Sequence, residues 1–420
     1  MPQDPESPVA RTPEPTAAPA VERPPLDDAI SKATLPITLL VQAASSAATL
    51  APAVAAPRLL AQMQLPVVAV GIYIALIYLA SMLSSQWGAA LVRRWGPIRT
   101  SQVALACSAL GLLGIASANL PLAVAGCLLV GIGYGPITPA SSDMLARTTP
   151  PQRFALVFSV KQTGVPLGGA LAGLLVPATM VRAGSGVALA QVAALCLAAV
   201  VLAAVLRGRL DGQRDAAAPW PALAHTLAPI RFVLAHALLR RIALCTFVFS
   251  AVQVSLGSYL VSFLHDELAW DIVAAGAALS AAQLAAVVAR VGFGLVADRI
   301  EDGARRTLRA LAAGMAACGL LTLALARTTP HAAVFALVVV YGATGIGWNG
   351  VYLGTVARAV PRAQAATATA GSLFFTYFGV VLGPPLFGVV GGLGHGLAAS
   401  FALLALPLAW TIRTLRRPAA

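Results

Sequence analysis

From Leu35 onward the chain repeats one unit: an apolar run of about 20 residues closed by a short charged or Gly/Pro-containing turn. Such a run crosses the ~30 Å hydrocarbon core of a bilayer as a single α-helix, which satisfies its own backbone where no water can. The expected fold class is therefore all-α: a polytopic membrane protein whose largest partner is the lipid bilayer. Charged residues make up 10% of the 420, against about a quarter in soluble domains.

The periodicity predicts helices at 35–56, 67–91, 101–120, 121–145, 154–180, 187–206, 241–264, 271–297, 307–327, 331–357, 365–391 and 396–413. That makes twelve transmembrane helices, the third and fourth parted only by Asn119-Leu120-Pro121. Residues 1–32 are Pro-rich and acidic and read as a disordered tail, with neither the basic start nor the early apolar stretch of a signal peptide. The longest interruption, 207–240, reads as a linker between two six-helix bundles, 33–206 and 241–420.

Arginine orients the chain. One set of turns carries Arg93, Arg94, Arg99, Arg147, Arg153, the 207–240 group, Arg299, Arg305, Arg306, Arg309, Arg358 and Arg362, with Arg413, Arg416 and Arg417 following the last helix. The alternate set carries only Arg58, Arg182 and Arg327. By the positive-inside rule both termini are expected in the cytoplasm and the chain in the inner (plasma) membrane. This placement also accounts for the net charge of +13, so nucleic acid is not an expected partner. The five cysteines lie within apolar runs, without a CxxC pair or Cys/His cluster, which predicts no metal. No cofactor is expected, and no nucleotide-binding loop or clustered nucleophile suggests an enzyme.

The halves echo one another. Gly131-Ile132-Gly133-Tyr134 returns as Gly345-Ile346-Gly347-Trp348, and Gly164-Val165-Pro166-Leu167-Gly168 as Gly379-Val380-Val381-Leu382-Gly383. Such pseudo-symmetry is the ground plan of carriers that rock about a central site.

Two cations are stranded inside apolar runs. Arg290 lies eight residues before its helix reaches Asp298, and Lys161 lies eight past Arg153, so both sit ~12 Å deep. A charge there costs at least ~2.5 kcal/mol facing lipid, so each must face protein or a wet cavity. No carboxylate shares that depth, which suggests an anionic small-molecule substrate held by the Arg fork and the Lys point charge. The alternative is that one snorkels or satisfies helix carbonyls. Gln162, Gln42, Tyr73, Gln253, Trp348, Asn349 and Tyr377 are the candidate polar and aromatic lining, beside Tyr134, Tyr259 and Tyr352. Packing or interfacial anchoring would serve each of these equally well. Asp143, four residues before Arg147, is expected to brace a gate with Arg93 or Arg94 rather than carry protons.

With these residues in view, the chain resembles the major facilitator superfamily over nearly all its length past the tail. Gly294-Leu295-Val296-Ala297-Asp298-Arg299 matches that family's G-x-L-A-D-R loop, which implies that Asp298 and Arg299 lock helix ends together. The first-half copy departs, with Ala89 and Arg93 where Gly and Asp are usual, although Gly96 is kept. Cys127 stands where the drug/proton antiporters carry an Arg. By contrast, Arg290 followed by Gly294 and Asp298 resembles the oxalate:formate and monocarboxylate branches, which implies that Arg290 meets a carboxylate. The resemblance implies a secondary transporter of a small organic anion working by alternating access, expected as a monomer, and the lack of a mid-membrane carboxylate suggests a proton or counter-anion as co-substrate. An exporter of drugs or amphipathic metabolites is the other reading.

Overall fold

The computed structural model describes residues 28–149, 157, 160–212, 214–217, 228–360 and 365–416. These form helices and turns, with no strand among the described residues. In the first half, α1 is Asp28–Val54, α2 Val68–Trp95 and α3 Pro97–Ala116, while α4 runs as Leu120–Tyr134 and then Ile137–Thr148. The helix Gly164–Ala203 supplies both α5 (164–183) and α6 (185–203), because Gly184 breaks it at φ 85°. In the second half, α7 is Ala237–Ser262, α8 Ile272–Arg299 and α9 Gly303–Leu321. Next come α10, as His331–Ile346 and Asn349–Arg358, α11, Ala365–Val390, and α12, as Gly396–Leu403 and Ala405–Thr414.

By length and composition alone the described residues hold 10 membrane-crossing helices. Two of those, Val160–Leu210 and Gly371–Thr414, are too long for one crossing, at 51 and 44 residues. Each divides at a positive-φ glycine, Gly184 or Gly394, so the crossings number twelve.

Several boundaries differ from expectation. The first helix starts at Asp28, so the predicted tail is helical over 28–32; its remainder, 1–27, lies outside the described residues. Ala-Ile-Ser-Lys-Ala continues the helix readily by propensity. A separate amphipathic helix, Ala56–Met63, follows α1 on the Arg-poor face. The 207–240 stretch includes short helices Arg207–Leu210 and Ala228–Ala235, and α7 starts four residues before the predicted 241. The predicted start of the fifth helix, 154–159, falls mainly outside the described residues. Cys107 is half-buried and the other four cysteines are buried, all with free thiols.

Packing within each half relies on small residues. Without a hydrophobic drive between helices in lipid, close backbone approach supplies the van der Waals contact. A Cβ at Gly168 of α5 would strike Ala43, Ser46 and Ala47 of α1, and Gly111 of α3 opposes Gly126 of α4. The halves meet most tightly on the Arg-poor side. There Gly173 of α5 faces Gly276 and Ser280 of α8, and Gly71 of α2 abuts Pro384 and Pro385 of α11. Ser280 Oγ donates to the Ala170 carbonyl across this seam at 2.8 Å.

On the Arg-rich side a different device ties the first half. Asp211, just past α6, accepts from the first free amides of α3: Ile98 N at 2.9 Å and Arg99 N at 3.0 Å. The carboxylate so replaces the capping group that Gly96 cannot supply. Gly96 itself has φ 90°, and any Cβ there would collide with Asp211.

Candidate functional site

Between the halves, at mid-height, lies a cavity of about 60 Å³. Its polar wall comes from Ser46 and Thr49 of α1, Tyr78 of α2, Tyr134 of α4, Gln253 of α7 and Gln283 of α8. Gly169 of α5 and Gly257 of α7 leave the space, since a Cβ at Gly169 would run into Gln283. Tyr78 sits at the centre of an aromatic group, 5.8 Å from Tyr134 and 6.2 Å from Tyr377 by ring centroids, so that it bridges the two halves.

Arg290 does not itself line this cavity but lies next to it, bonded to Ile346, which does. It is 8% exposed and lies beside Tyr134. Its Nη1 donates to the Gln162 carbonyl of the first half at 2.9 Å, and its Nε to the Ile346 carbonyl of α10 at 3.3 Å. Residues 160–162 are helical and the helix breaks at Thr163 before resuming at Gly164, so the Gln162 carbonyl ends that short segment and is open to a side-chain donor. Two of the five guanidinium N–H donors are accounted for by these bonds, and carbonyls rather than a carboxylate receive them.

Lys161 is fully buried, and its Nζ donates to Gln162 Oε1 at 3.2 Å. Gln162 is thus shared by both cations, through its side chain to Lys161 and through its backbone to Arg290. Lys161 does not itself line the cavity.

The other sequence candidates separate into those the fold gathers and those it does not. Gln253 lines the cavity and accepts from Asn349 Nδ2 at 3.0 Å. Gln42, 2% exposed, donates to Ser46 Oγ at 3.3 Å, one turn from the cavity wall. Tyr377 of α11 joins the group beside Tyr78 and within electrostatic reach of Tyr134. Tyr73 is elsewhere: its hydroxyl donates to the Thr49 carbonyl at 2.5 Å, and its ring lines a separate apolar cavity between α1, α2 and α4. Trp348 points into the second-half core, edge-on to Phe249 at 5.5 Å and next to Tyr352. Tyr78 and Gln283 were not singled out by sequence. Gln283 lies two turns from Arg290 on the same helix, a spacing that could have identified it.

The gating candidates are local where their side chains are described. Asp143 and Arg147 form an ion pair at 2.7 Å, and Arg147 also donates to the Leu210 carbonyl at 3.1 Å. This brace joins α4 to the short helix Arg207–Leu210 that follows α6 inside the first half, because the i,i+4 spacing aims both groups sideways along one bundle. Arg93 and Arg299 are exposed and Arg94 is half-buried. The side chain of Asp298 lies outside the described residues.

Two bundles of membrane-spanning helices around a buried polar cavity define a transporter, not an enzyme. The profile of the Major Facilitator Superfamily matches residues 37–384, and the chain belongs to that superfamily. Solved structures agree on the fold. The nucleoside transporter NupG aligns with TM-score 0.75 at 16% identity, covering 92% of this chain and 99% of that one. A POT family transporter in complex with 5-aminolevulinic acid gives 0.72 at 12% identity, covering 90% and 94%. A bacterial homolog of the human lysosomal transporter Spinster, in an inward-facing and occupied conformation, gives 0.67 at 16% identity, covering 93% and 95%. No curated protein matches the sequence.

Proposed function

We propose that this chain is a secondary transporter of the inner membrane, with both termini cytoplasmic, that moves a small organic anion, a mono- or dicarboxylate, by alternating access. The observation that carries the reading is Arg290. It is buried behind the cavity-lining Ile346 and Tyr134, lies two turns from the cavity-lining Gln283 along α8, and is held only by carbonyls among the described residues. A guanidinium satisfied by neutral acceptors retains its full charge, and the remaining donors suit a carboxylate in bidentate geometry. Lys161 adds positive potential from the adjacent turn, with Gln162 as the neutral spacer. Gln253, Asn349, Gln42 and the Tyr78 group orient the rest of the molecule. Arg93, Arg94, Asp298 and Arg299 stabilise one end state from the Arg-rich face, and Asp143 with Arg147 stiffens the first half. With no carboxylate lining the cavity among the described residues, exchange against another anion, or entry with a proton, is the coupling that fits.

Export of drugs or amphipathic metabolites fits less well. The central cavity of about 60 Å³ is far below the ~300 Å³ or more that drug-sized ligands fill. Uptake of labelled carboxylates and inorganic anions into proteoliposomes tests the reading. Arg290→Ala should abolish uptake of the preferred anion and Lys161→Ala should reduce it at least about tenfold. Unchanged uptake in both variants would refute it.

A further inference from the structure

Six polar side chains line the central cavity among the described residues, and five of them have partners within the protein. Ser46 accepts from Gln42, Thr49 donates to the Ser45 carbonyl, and Tyr134 shares hydrogen bonds with Ser46 and Tyr78. Gln253 accepts from Asn349 Nδ2 at 3.0 Å. Gln283 of α8 is the sixth. It is 6% exposed, and its amide forms no hydrogen bond among the described residues. A buried amide left open forfeits the bonds it made with water, so it needs another partner.

Glycines from both halves seat this amide. A Cβ at Gly169 of α5 would stand 2.6 Å from Gln283 Cδ and Nε2, and one at Gly257 of α7 would stand 3.8 Å from Nε2. The backbone thus gives way on two sides without offering a bond, and the open side is the cavity. Arg290 lies seven residues further along α8, about 10 Å along the axis and on the same face. A charged group and an uncharged one therefore stand on one helix, within reach of the two ends of a small solute. No acid, histidine, lysine or arginine lines the cavity among the described residues, so a second charge near Gln283 would be buried without a counter-ion. An amide is fully used only by a neutral partner that donates and accepts at once.

We infer that Gln283 binds the far end of the cargo, and that this end is a neutral planar group bearing both a donor and an acceptor: a carboxamide or an undissociated carboxyl. Gln283 Nε2 donates to its carbonyl oxygen, and Oε1 accepts from its N–H or O–H. The inference rests on the reading that Arg290 takes a carboxylate at the other end. It narrows that cargo to a singly charged acid with a polar tail.

The test measures binding to the full purified chain in detergent by calorimetry. Succinamate carries a carboxylate and a carboxamide; 4-methylpentanoate has the same shape and charge, with two methyls in place of the amide's oxygen and nitrogen. Succinamate should bind at least about tenfold more tightly, the loss expected when a buried amide meets no match. Gln283→Met, similar in length but without the amide, should erase that preference. Gln283→Asn, whose amide stops one methylene short, should erase it too, and it decides the matter if the methionine variant does not fold. Equal affinity of the two probes in the parent, or a preference that survives in the variants, would overturn the inference. Arg290→Ala tests the other end separately: loss of both probes supports the carboxylate contact, and retention of both refutes that contact while the preference still reports on Gln283.

Succinate tells the two tail groups apart. A site for an undissociated carboxyl should bind it as well as succinamate at about pH 5 and less well at about pH 7, whereas a site for carboxamides should bind it less well at both. Tyr78 and Tyr134 are the titratable groups lining the cavity among the described residues, with Lys161 and Arg290 outside the lining. Succinamate measured at both pH values corrects for their charge. Tighter binding of succinate than of succinamate at about pH 7 would make the dianion the cargo and overturn the inference.

Discussion

Arg290 differs from an ordinary buried arginine in what holds it. Its donors go to the carbonyls of Gln162 and Ile346, one from each half, so the side chain is both a charge and a strut. Lysine at this position would keep the charge and lose the planar fork. Arg290→Lys is therefore expected to raise KM for the proposed anionic cargo about tenfold while leaving the protein folded, as read by uptake kinetics beside thermal unfolding. An unchanged KM would show that the fork does not touch cargo. The two cations were legible in sequence because a charge inside an apolar run has few outlets. Tyr78 and Gln283 were not legible. A tyrosine or glutamine in a helix that is apolar all round fits a lipid-facing, core-facing or cavity-facing azimuth equally, and only packing decides among them. Tyr73 and Trp348 mark the same limit from the other side: their depth was read well enough, but their direction was not.

At the level of elements, polar clasps and glycine breaks complete what hydropathy begins. The cap that Asp211 places on α3 is remote in sequence, so nothing local to Pro97 announces it. Asp211→Ala should lower stability by ~1–3 kcal/mol through two buried amides left without acceptors, measured by denaturation in detergent. Asp211→Asn should recover part of this, since one oxygen remains. Burial raises the Asp211 carboxyl above its ordinary value, while the Ile98 and Arg99 amides and the charges of Arg207 and Arg214 oppose that shift. The folded chain thus holds this proton more firmly than the unfolded one. The group's contribution to stability is greatest below the ordinary carboxylate value of about 4 and declines as pH rises through the folded value. Asp211→Asn should remove that decline, and an identical pH profile in variant and parent would contradict it. The spans themselves were legible by run length, with boundaries off by up to seven residues, as at the start of α1. The interruptions of α4 near Gly135 and of α10 near Gly347 were not, because glycine, proline and tryptophan in apolar company leave hydropathy unchanged.

Across the whole molecule, the duplication seen in sequence is matched by two bundles, yet their contact is lopsided. The Arg-poor seam is built on Gly71, Gly173 and Gly276, each pressed against backbone or proline across the interface. Gly276→Val would force Cβ and its methyls onto Pro177 and the Gly173 carbonyl. Overpacking of this kind costs ~1–3 kcal/mol, and only in states where the seam is shut. Spin labels at the Arg-poor ends of α5 and α8 should then show a longer-distance population at the expense of the shorter one, and an unaltered distribution would mean that the seam does not set the balance. Gly292 and Gly294, near the other end of α8, have nothing within 4 Å among the described residues, so methyls there should leave the distribution unmoved.

The bond from Arg290 to the Gln162 carbonyl has a consequence for the idle carrier. Parting the bundles at that level breaks a charge-assisted contact worth ~1.5–3 kcal/mol, and an empty protein has nothing to set in its place. Under the proposed function, a guest that presents oxygens takes over those donors as the backbone lets go, so that its arrival both loads the carrier and loosens the hinge. A guest without them leaves the latch fastened.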